Sequence, residues 1–204
     1  MSAITEAALF GRGETYGTTT ATDGVEWEGY EKWFPDSNYA AVGVKPRRSN
    51  RMVLCRIVRN ISGIALLPKR LASIRLTAGD ARTKVDGYAT ITAGRGYPID
   101  EFLPAAGVAA NDLFWIVLKG PAVVISGLTT LSATIAVGDM VVAQTAATSQ
   151  ATTAGRADGR TFTSTAATGV GLQAMLENAI GYCLSAITSD NTNSNLLVDV
   201  TLMN

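Results

Sequence analysis

The stretch NDLFWIVLKGPAVVI, at residues 111–125, is the most apolar part of the chain and constrains its fold most strongly. A membrane-spanning helix needs roughly 20 consecutive apolar residues, and Lys119, Gly120 and Pro121 interrupt this stretch near its middle. The first half hardly alternates between apolar and polar residues, which predicts a strand that is buried on both faces. The sequence therefore predicts a buried β-hairpin with a turn at Lys119-Gly120.

This predicted hairpin supplies core residues on one face, and its other face needs to be covered as well. Its predicted core residues are Phe114, Ile116, Leu118, Val123 and Ile125. Trp115 points to the opposite face of the first strand, because successive side chains of a strand alternate. In a small barrel that face must be covered by the chain's own N-terminal segment or by a neighbouring subunit. Both possibilities are open from the sequence.

The remainder of the chain also has the pattern of a β protein. Short runs rich in apolar and β-branched residues recur from about residue 51 to the end, with turn signals between them. Only 17% of the residues are charged, and Thr, Ala, Ser and Gly are abundant. A series of short strands joined by turns predicts an antiparallel barrel or sandwich.

The first 50 residues show no sustained periodicity, which predicts a long extended N-terminal arm before a β-rich core domain at residues 51–204. This arm contains four aromatic residues close together: Trp27, Tyr30, Trp33 and Phe34. Large aromatic side chains in a polar segment need a surface to pack on. That surface is either the chain's own core or a neighbouring subunit, and the sequence does not separate the two.

Charge is segregated along the chain although its formal net charge is zero. Residues 1–44 carry seven acids and two bases, residues 45–84 carry eleven bases and one acid, and residues 85–204 carry nine acids and four bases. The basic block, which includes Arg47, Arg48 and Arg51, lies partly inside apolar runs and between acidic neighbours, which disfavours a nucleic-acid surface. We expect acidic and basic surfaces to meet between copies or with an acidic partner.

Few residues have the pattern of a chemical site. The chain has no histidine, which removes the commonest general base and metal ligand. Asp36, Asp100 and Glu101 are possible carboxylate ligands or acid–base groups, but we expect these loop carboxylates to be solvated. We therefore expect no catalysis, no cofactor and no metal. Cys55 and Cys183 lie in apolar runs and are predicted to be free thiols, because a domain of this size does not need a disulfide.

A series of short motifs resembles the capsid decoration proteins of tailed bacteriophages, also called cement or head-stabilisation proteins. The matching segments are an Arg-Asn-x-Ser-Gly strand and turn, a Val-Gly-Asp strand entry and a late Ile-Gly-x-x-Leu-x-Ala strand before the closing strand. They fall on Arg59, Asn60, Ser62 and Gly63; on Val137, Gly138 and Asp139; and on Ile180, Gly181, Leu184 and Ala186. The resemblance spans residues 52–204, and the order of the motifs carries it.

This resemblance implies a small β-barrel or β-tulip-like domain that is a structural virion protein and not an enzyme. It implies binding to the outer surface of an icosahedral capsid, with the major capsid protein and further copies of the chain, as a homotrimer, for partners. Neither nucleic acid nor membrane is an expected partner. The candidate interface residues are Trp27, Tyr30, Trp33, Phe34, Arg47, Arg48, Arg51 and Trp115. The alternative is a fibre or adhesion module that binds glycans through loops 145–168 and 188–195.

Overall fold

The computed structural model describes residues 10–18, 20, 22–38, 47–77, 80, 82–90, 95–126, 135–143, 157–160, 177–187 and 195–201. A 3-10 turn, Val25–Trp27, precedes the first strand. Ten strands follow in chain order: β1 Glu31–Ser37, β2 Arg47–Asn60, β3 Leu71–Ile74, β4 Lys84–Tyr88, β5 Gly96–Pro98, β6 Leu113–Ile125, β7 Met140–Ala143, β8 Ala157–Arg160, β9 Gly181–Cys183 and β10 Asn195–Val200. The predicted mostly β fold is confirmed.

All ten strands belong to one sheet that curls into a nearly closed barrel. The strand order is β5-β3-β4-β2-β6-β10-β9-β7-β8, and β1 pairs with β2 beside this path. Ile99, directly after β5, bridges to Ile116 of β6 and so brings the first strand of this order back to the middle of the sheet. The pairs are antiparallel except for the short contact between β2 and β4, which is parallel.

The predicted hairpin at residues 111–125 is wrong, because the stretch forms one continuous strand, β6. Its first half pairs with β2, and its second half, from Gly120, pairs with β10. The partner of β2 jumps from Val117 to Lys119 in a single step, so Leu118 is the extra residue of a β-bulge. The interruption that resembles a turn in the sequence is therefore the point where β6 exchanges one partner strand for another.

The bulge also decides which side chains of β6 are buried in which core. Alternate residues before the bulge separate into two buried clusters, one containing Trp115 and the other containing Phe114 and Ile116. After the bulge the alternation shifts, so that Ala122 and Val124 join the Trp115 cluster. The predicted core residues Phe114, Ile116 and Leu118 are buried, but Val123 and Ile125 are only half-buried. Val123 and Ile125 alternate with Ala122 and Val124, so they lie on the face opposite to the Trp115 cluster, and at this end of β6 that face is only half-buried.

The N-terminal region contributes directly to the sheet and to the core. β1 lies within the predicted arm and pairs with β2 from Glu31 to Ser37. β2 begins at Arg47, before the predicted domain boundary at residue 51. Phe10 and Phe34 pack against the cluster that contains Trp115. The boundary at residues 50 and 51 consequently does not coincide with a break in the sheet.

Candidate interaction surface

A fully buried arginine attaches the N-terminal region to the barrel. Arg59 of β2 has no exposed surface, whereas an arginine side chain is almost never fully buried unless it has a partner of opposite charge. It forms an ion pair with Glu28 and donates to the Asp23 carbonyl and, at 2.8 Å, to the Asn111 carbonyl. The second carboxylate oxygen of Glu28 accepts from the Thr83 hydroxyl at 3.1 Å. The residues before β1 are thus held to β2 by charge-assisted hydrogen bonds.

A second buried ion pair attaches the chain further towards its N-terminus. Arg12 lies 2.9 Å from the fully buried carboxylate of Asp100, and the Gly13 N–H donates to the same carboxylate at 2.6 Å. Gly13 has φ 87, and a Cβ here would lie 3.1 Å from the Phe102 carbonyl oxygen. Glycine is therefore required for the backbone to approach this carboxylate.

A third ionic group fills the space where β2 and β6 diverge. Arg48 contacts Asp36 at 2.7 Å and Glu101 at 3.2 Å. Glu101 accepts from the Val123 N–H at 2.7 Å, which satisfies a backbone donor of β6 that has no β2 partner there. Burial raises the pKa of Glu101, while Arg48 and Arg12 oppose that rise. The expectation that Asp36, Asp100 and Glu101 are solvated is wrong, because folding buries all three carboxylates against the guanidinium groups of Arg12 and Arg48.

The open question of what covers Trp115 has an answer within the chain. Its ring is fully buried, with Phe34 at 5.1 Å in an edge-on arrangement and Phe10 at 5.5 Å between ring centroids. Its indole N–H donates to the Phe10 carbonyl at 3.1 Å. Trp115 is therefore removed from the candidate interface, since the N-terminal region of the same chain occupies its face.

A strip of exposed side chains crosses the face of the sheet that is opposite to the Trp115 cluster. We call it the outer strip and define it as Trp33 and Pro35 on β1, Met52 on β2, Lys119 on β6, and Tyr182 and Leu184 at β9. Trp33 is 49% exposed, Met52 41% and Tyr182 46%. These values are high for large apolar side chains, and clusters of such residues commonly mark interaction sites.

The strand register places the members of the outer strip on one face. Pro35 pairs with Met52, and Trp33 pairs with Leu54, which pairs in turn with Lys119. Directly opposed residues of neighbouring strands share a face of the sheet.

The other end of the strip is reached through β10. Asp199 pairs with Pro121 of β6 and with Tyr182 of β9. Arg51 of β2 forms an ion pair with Asp199 at 2.7 Å.

The predicted interface residues divide into surface and interior positions. Trp33 is exposed in the outer strip, and Tyr30 is 36% exposed just before β1. Trp27 is half-buried against the core and contacts Tyr16 with ring centroids 4.5 Å apart, and Phe34 is half-buried on Trp115.

The three predicted basic residues divide in the same way. Arg47 is exposed, and Arg51 is exposed and paired with Asp199. Arg48 instead belongs to the interior ionic group, where it contacts Asp36 and Glu101. The prediction missed five members of the outer strip: Pro35, Met52, Lys119, Tyr182 and Leu184. For those on β1, β2 and β9, the alternation of exposed and buried residues along the strand is the signal that could have found them.

The short motifs of the sequence have structural roles in this fold. Asn60 is fully buried, donates to three loop carbonyls, and accepts from the backbone N–H and the hydroxyl of Ser62. Asp139 accepts from the Ala136 N–H at 2.8 Å and stabilises the turn before β7. Gly181 lies against the backbone of Asp199, where a side chain would collide with β10. These residues support the sheet that carries the outer strip.

Both cysteines are buried and unpaired, which confirms the prediction of free thiols. Burial raises the pKa of Cys55 to about 12, with Arg12 opposing the rise. Burial likewise raises the pKa of Cys183 to about 12, helped by the negative charge of Asp139. Because the thiolate is the reactive form, both groups are poor nucleophiles in the folded chain.

The functional proposal for this chain depends on its fold and its outer strip. No protein-family model, curated protein or solved structure matches this chain. Within the described residues no group of three or more Cys, Asp or Glu side chains is arranged to hold a metal ion. The helical segments of those residues include none that is long and apolar enough to span a membrane.

Proposed function

We propose that this chain is a structural virion protein that binds the outer surface of an icosahedral phage capsid and stabilises the shell through contacts between subunits. The major capsid protein and further copies of the chain, as a homotrimer, are its partners in this proposal. The observation that carries the proposal is the outer strip, a row of exposed apolar side chains with basic residues beside it. The short motifs of residues 52–204 occur in an order that resembles capsid decoration proteins, and this resemblance supports the capsid as the surface to which the chain binds.

The physical setting of the outer strip supports a role in binding. Trp33 and Tyr182 belong to residue types that carry much of the binding energy at protein interfaces. The sheet beneath them is stabilised by two buried aromatic and aliphatic clusters and by the buried pairs of Arg12 and Arg59. A rigid surface loses little conformational entropy on association, so more of the contact energy remains as affinity.

The test is to add the purified protein to capsids that lack it and to measure occupancy and shell stability against heat. Trp33→Ala is expected to lower occupancy, and Leu76→Ala is the matched control, because Leu76 is 74% exposed and lies outside the strip. Equal occupancy for wild type and Trp33→Ala would remove the strip from the proposal. Failure of the wild type to bind would refute the capsid function itself.

Point variants test the proposal better than deletion of the predicted arm. Deleting residues 1–44 would remove β1 as well as Glu28, the ion-pair partner of Arg59, and it would therefore disturb the fold together with the surface. The glycan-binding alternative stays a prediction, since loops 145–168 and 188–195 lie outside the described residues apart from 157–160 and 195.

A further inference from the structure

The free edge of β1 is a poor site for strand addition. The Tyr30 carbonyl accepts from the Ile57 N–H at 2.9 Å, so this pair is a hydrogen-bonded pair of the antiparallel ladder. Bonded and non-bonded pairs alternate, which directs the backbone groups of Glu31, Trp33 and Pro35 away from β2. Pro35 has no N–H, and a proline at this position obstructs the pairing of another strand. A partner of β1 is therefore expected on its face and not along its edge.

The face offers a surface that is five strands wide. The outer strip extends over β1, β2, β6, β10 and β9, and four strand spacings of about 4.8 Å give roughly 19 Å along the curved sheet. Exposed apolar side chains lie at both ends, with Trp33 and Met52 at one and Tyr182 at the other. Asp199 of β10 lies between them, and its ion pair with Arg51 is electrically neutral as a unit.

One cation of the strip has no such compensation. Lys119 is exposed, and it has no ion pair within the described residues. It shares a row with Leu54 and Trp33, so a partner that extends along this row from Trp33 meets the Lys119 side chain. An ammonium group that is removed from water needs an opposite charge, because its desolvation is otherwise unfavourable.

We propose that the outer strip docks face-on against a folded, acidic and partly apolar patch of its partner, with a carboxylate opposite Lys119. This inference rests on the proposed function, in which the partner patch belongs to the capsid shell. Apolar side chains of that patch contact Trp33 and Met52 at one end and Tyr182 at the other. The carboxylate sets the register of the complex, as complementary charges do at protein interfaces.

The experiment measures the affinity of folded variants for capsids that lack the protein. Lys119→Glu, Trp33→Ala and Tyr182→Ala are each expected to weaken binding by about tenfold or more. Lys119→Met is expected to weaken binding less than Lys119→Glu and to reduce its dependence on salt, because one ion pair is lost. Leu76→Ala is the control and is expected to bind like wild type. Circular dichroism and thermal unfolding establish that each variant is folded.

Three results would overturn the inference while leaving the proposed function intact. The first is wild-type affinity for Lys119→Glu, and the second is wild-type affinity for Tyr182→Ala together with a loss for Trp33→Ala, which would confine the contact to β1. The third is tighter binding by Pro35→Val, which restores an outward N–H and would show strand addition at the edge. If wild-type protein does not bind capsids at all, the proposed function and this inference both fail.

Discussion

The buried pair of Arg59 and Glu28 gives the most direct test of how the N-terminal region is held. Replacing Arg59 with Met keeps much of the side-chain volume but removes the guanidinium group. The Glu28 carboxylate, whose side chain is 8% exposed, would then keep the Thr83 hydroxyl as its donor, and the Asn111 carbonyl would lose a donor. Breaking a buried ion pair from one side costs about 3–5 kcal/mol.

This cost is a large share of the stability of a typical domain, which is about 5–15 kcal/mol. We therefore expect Arg59→Met to lower the free energy of unfolding by about 3–5 kcal/mol, measured by urea titration with tryptophan fluorescence and circular dichroism. Arg51→Met is the matched control, because Arg51 is also a paired arginine of β2 but its side chain is 48% exposed. An exposed pair contributes about 1 kcal/mol or less.

The double variant Arg59→Met/Glu28→Gln separates the lost pair from the stranded charge. The amide side chain at position 28 would still accept from the Thr83 hydroxyl, but it would carry no charge into the interior. The double variant is therefore expected to be more stable than Arg59→Met alone, and it also serves if that single variant does not fold. The reasoning is refuted if Arg59→Met costs no more than Arg51→Met, or if the second substitution recovers nothing.

Three further predictions concern other buried features. Because burial raises the pKa of Glu101 above its usual value of 4.5, the folded chain binds that proton more readily than the unfolded chain, and this contribution to stability falls as pH rises through the raised pKa. Glu101→Gln removes the effect, so its stability relative to wild type should increase as pH rises above about 4.5 in urea titrations, and a constant difference would contradict this. Cys55 and Cys183 each have a pKa of about 12, so in the native protein at about pH 8 they should react with a thiol reagent only as fast as the chain unfolds. In denaturant both thiols should react at once. Rapid labelling of the native protein would disprove their burial. Gly120 has φ 99 and a Cβ there would lie 2.5 Å from the Met52 carbonyl oxygen, so Gly120→Ala should cost at least about 1–3 kcal/mol, while Gly63→Ala, which also has positive φ but open space, should cost less in the same thermal assay.

Local patterns in the sequence were sufficient for the class of fold and for parts of the strands. Short apolar runs between turn residues predicted a mostly β chain, and the lack of alternation in the first half of residues 111–125 predicted a strand buried on both faces, as residues 113–118 are. The same reasoning failed at Lys119-Gly120-Pro121, because a β-bulge and a change of partner strand can accommodate residues that usually form a turn.

The candidate site was less predictable because its members come together only through long-range contacts. Trp33 was found by its unusual setting among polar residues, but Lys119 and Tyr182 reach the same surface through pairing with β2 and β10. The carboxylates Asp100 and Glu101 lie in a polar loop and gave no local sign of burial. Their partners Arg12 and Arg48 lie 88 and 53 residues away along the chain.

The sequence by itself determined the local properties of the fold: apolar runs of strand length, turns between them, free thiols and aromatic residues that need a surface to pack on. These properties are local, since they depend on the spacing of a few neighbouring residues. Only the tertiary structure decided that β6 is one strand, that the N-terminal region covers Trp115, and that the outer strip faces solvent. Those outcomes depend on which distant segments pair, because burial of a charge or exposure of an aromatic ring is set by neighbours in space.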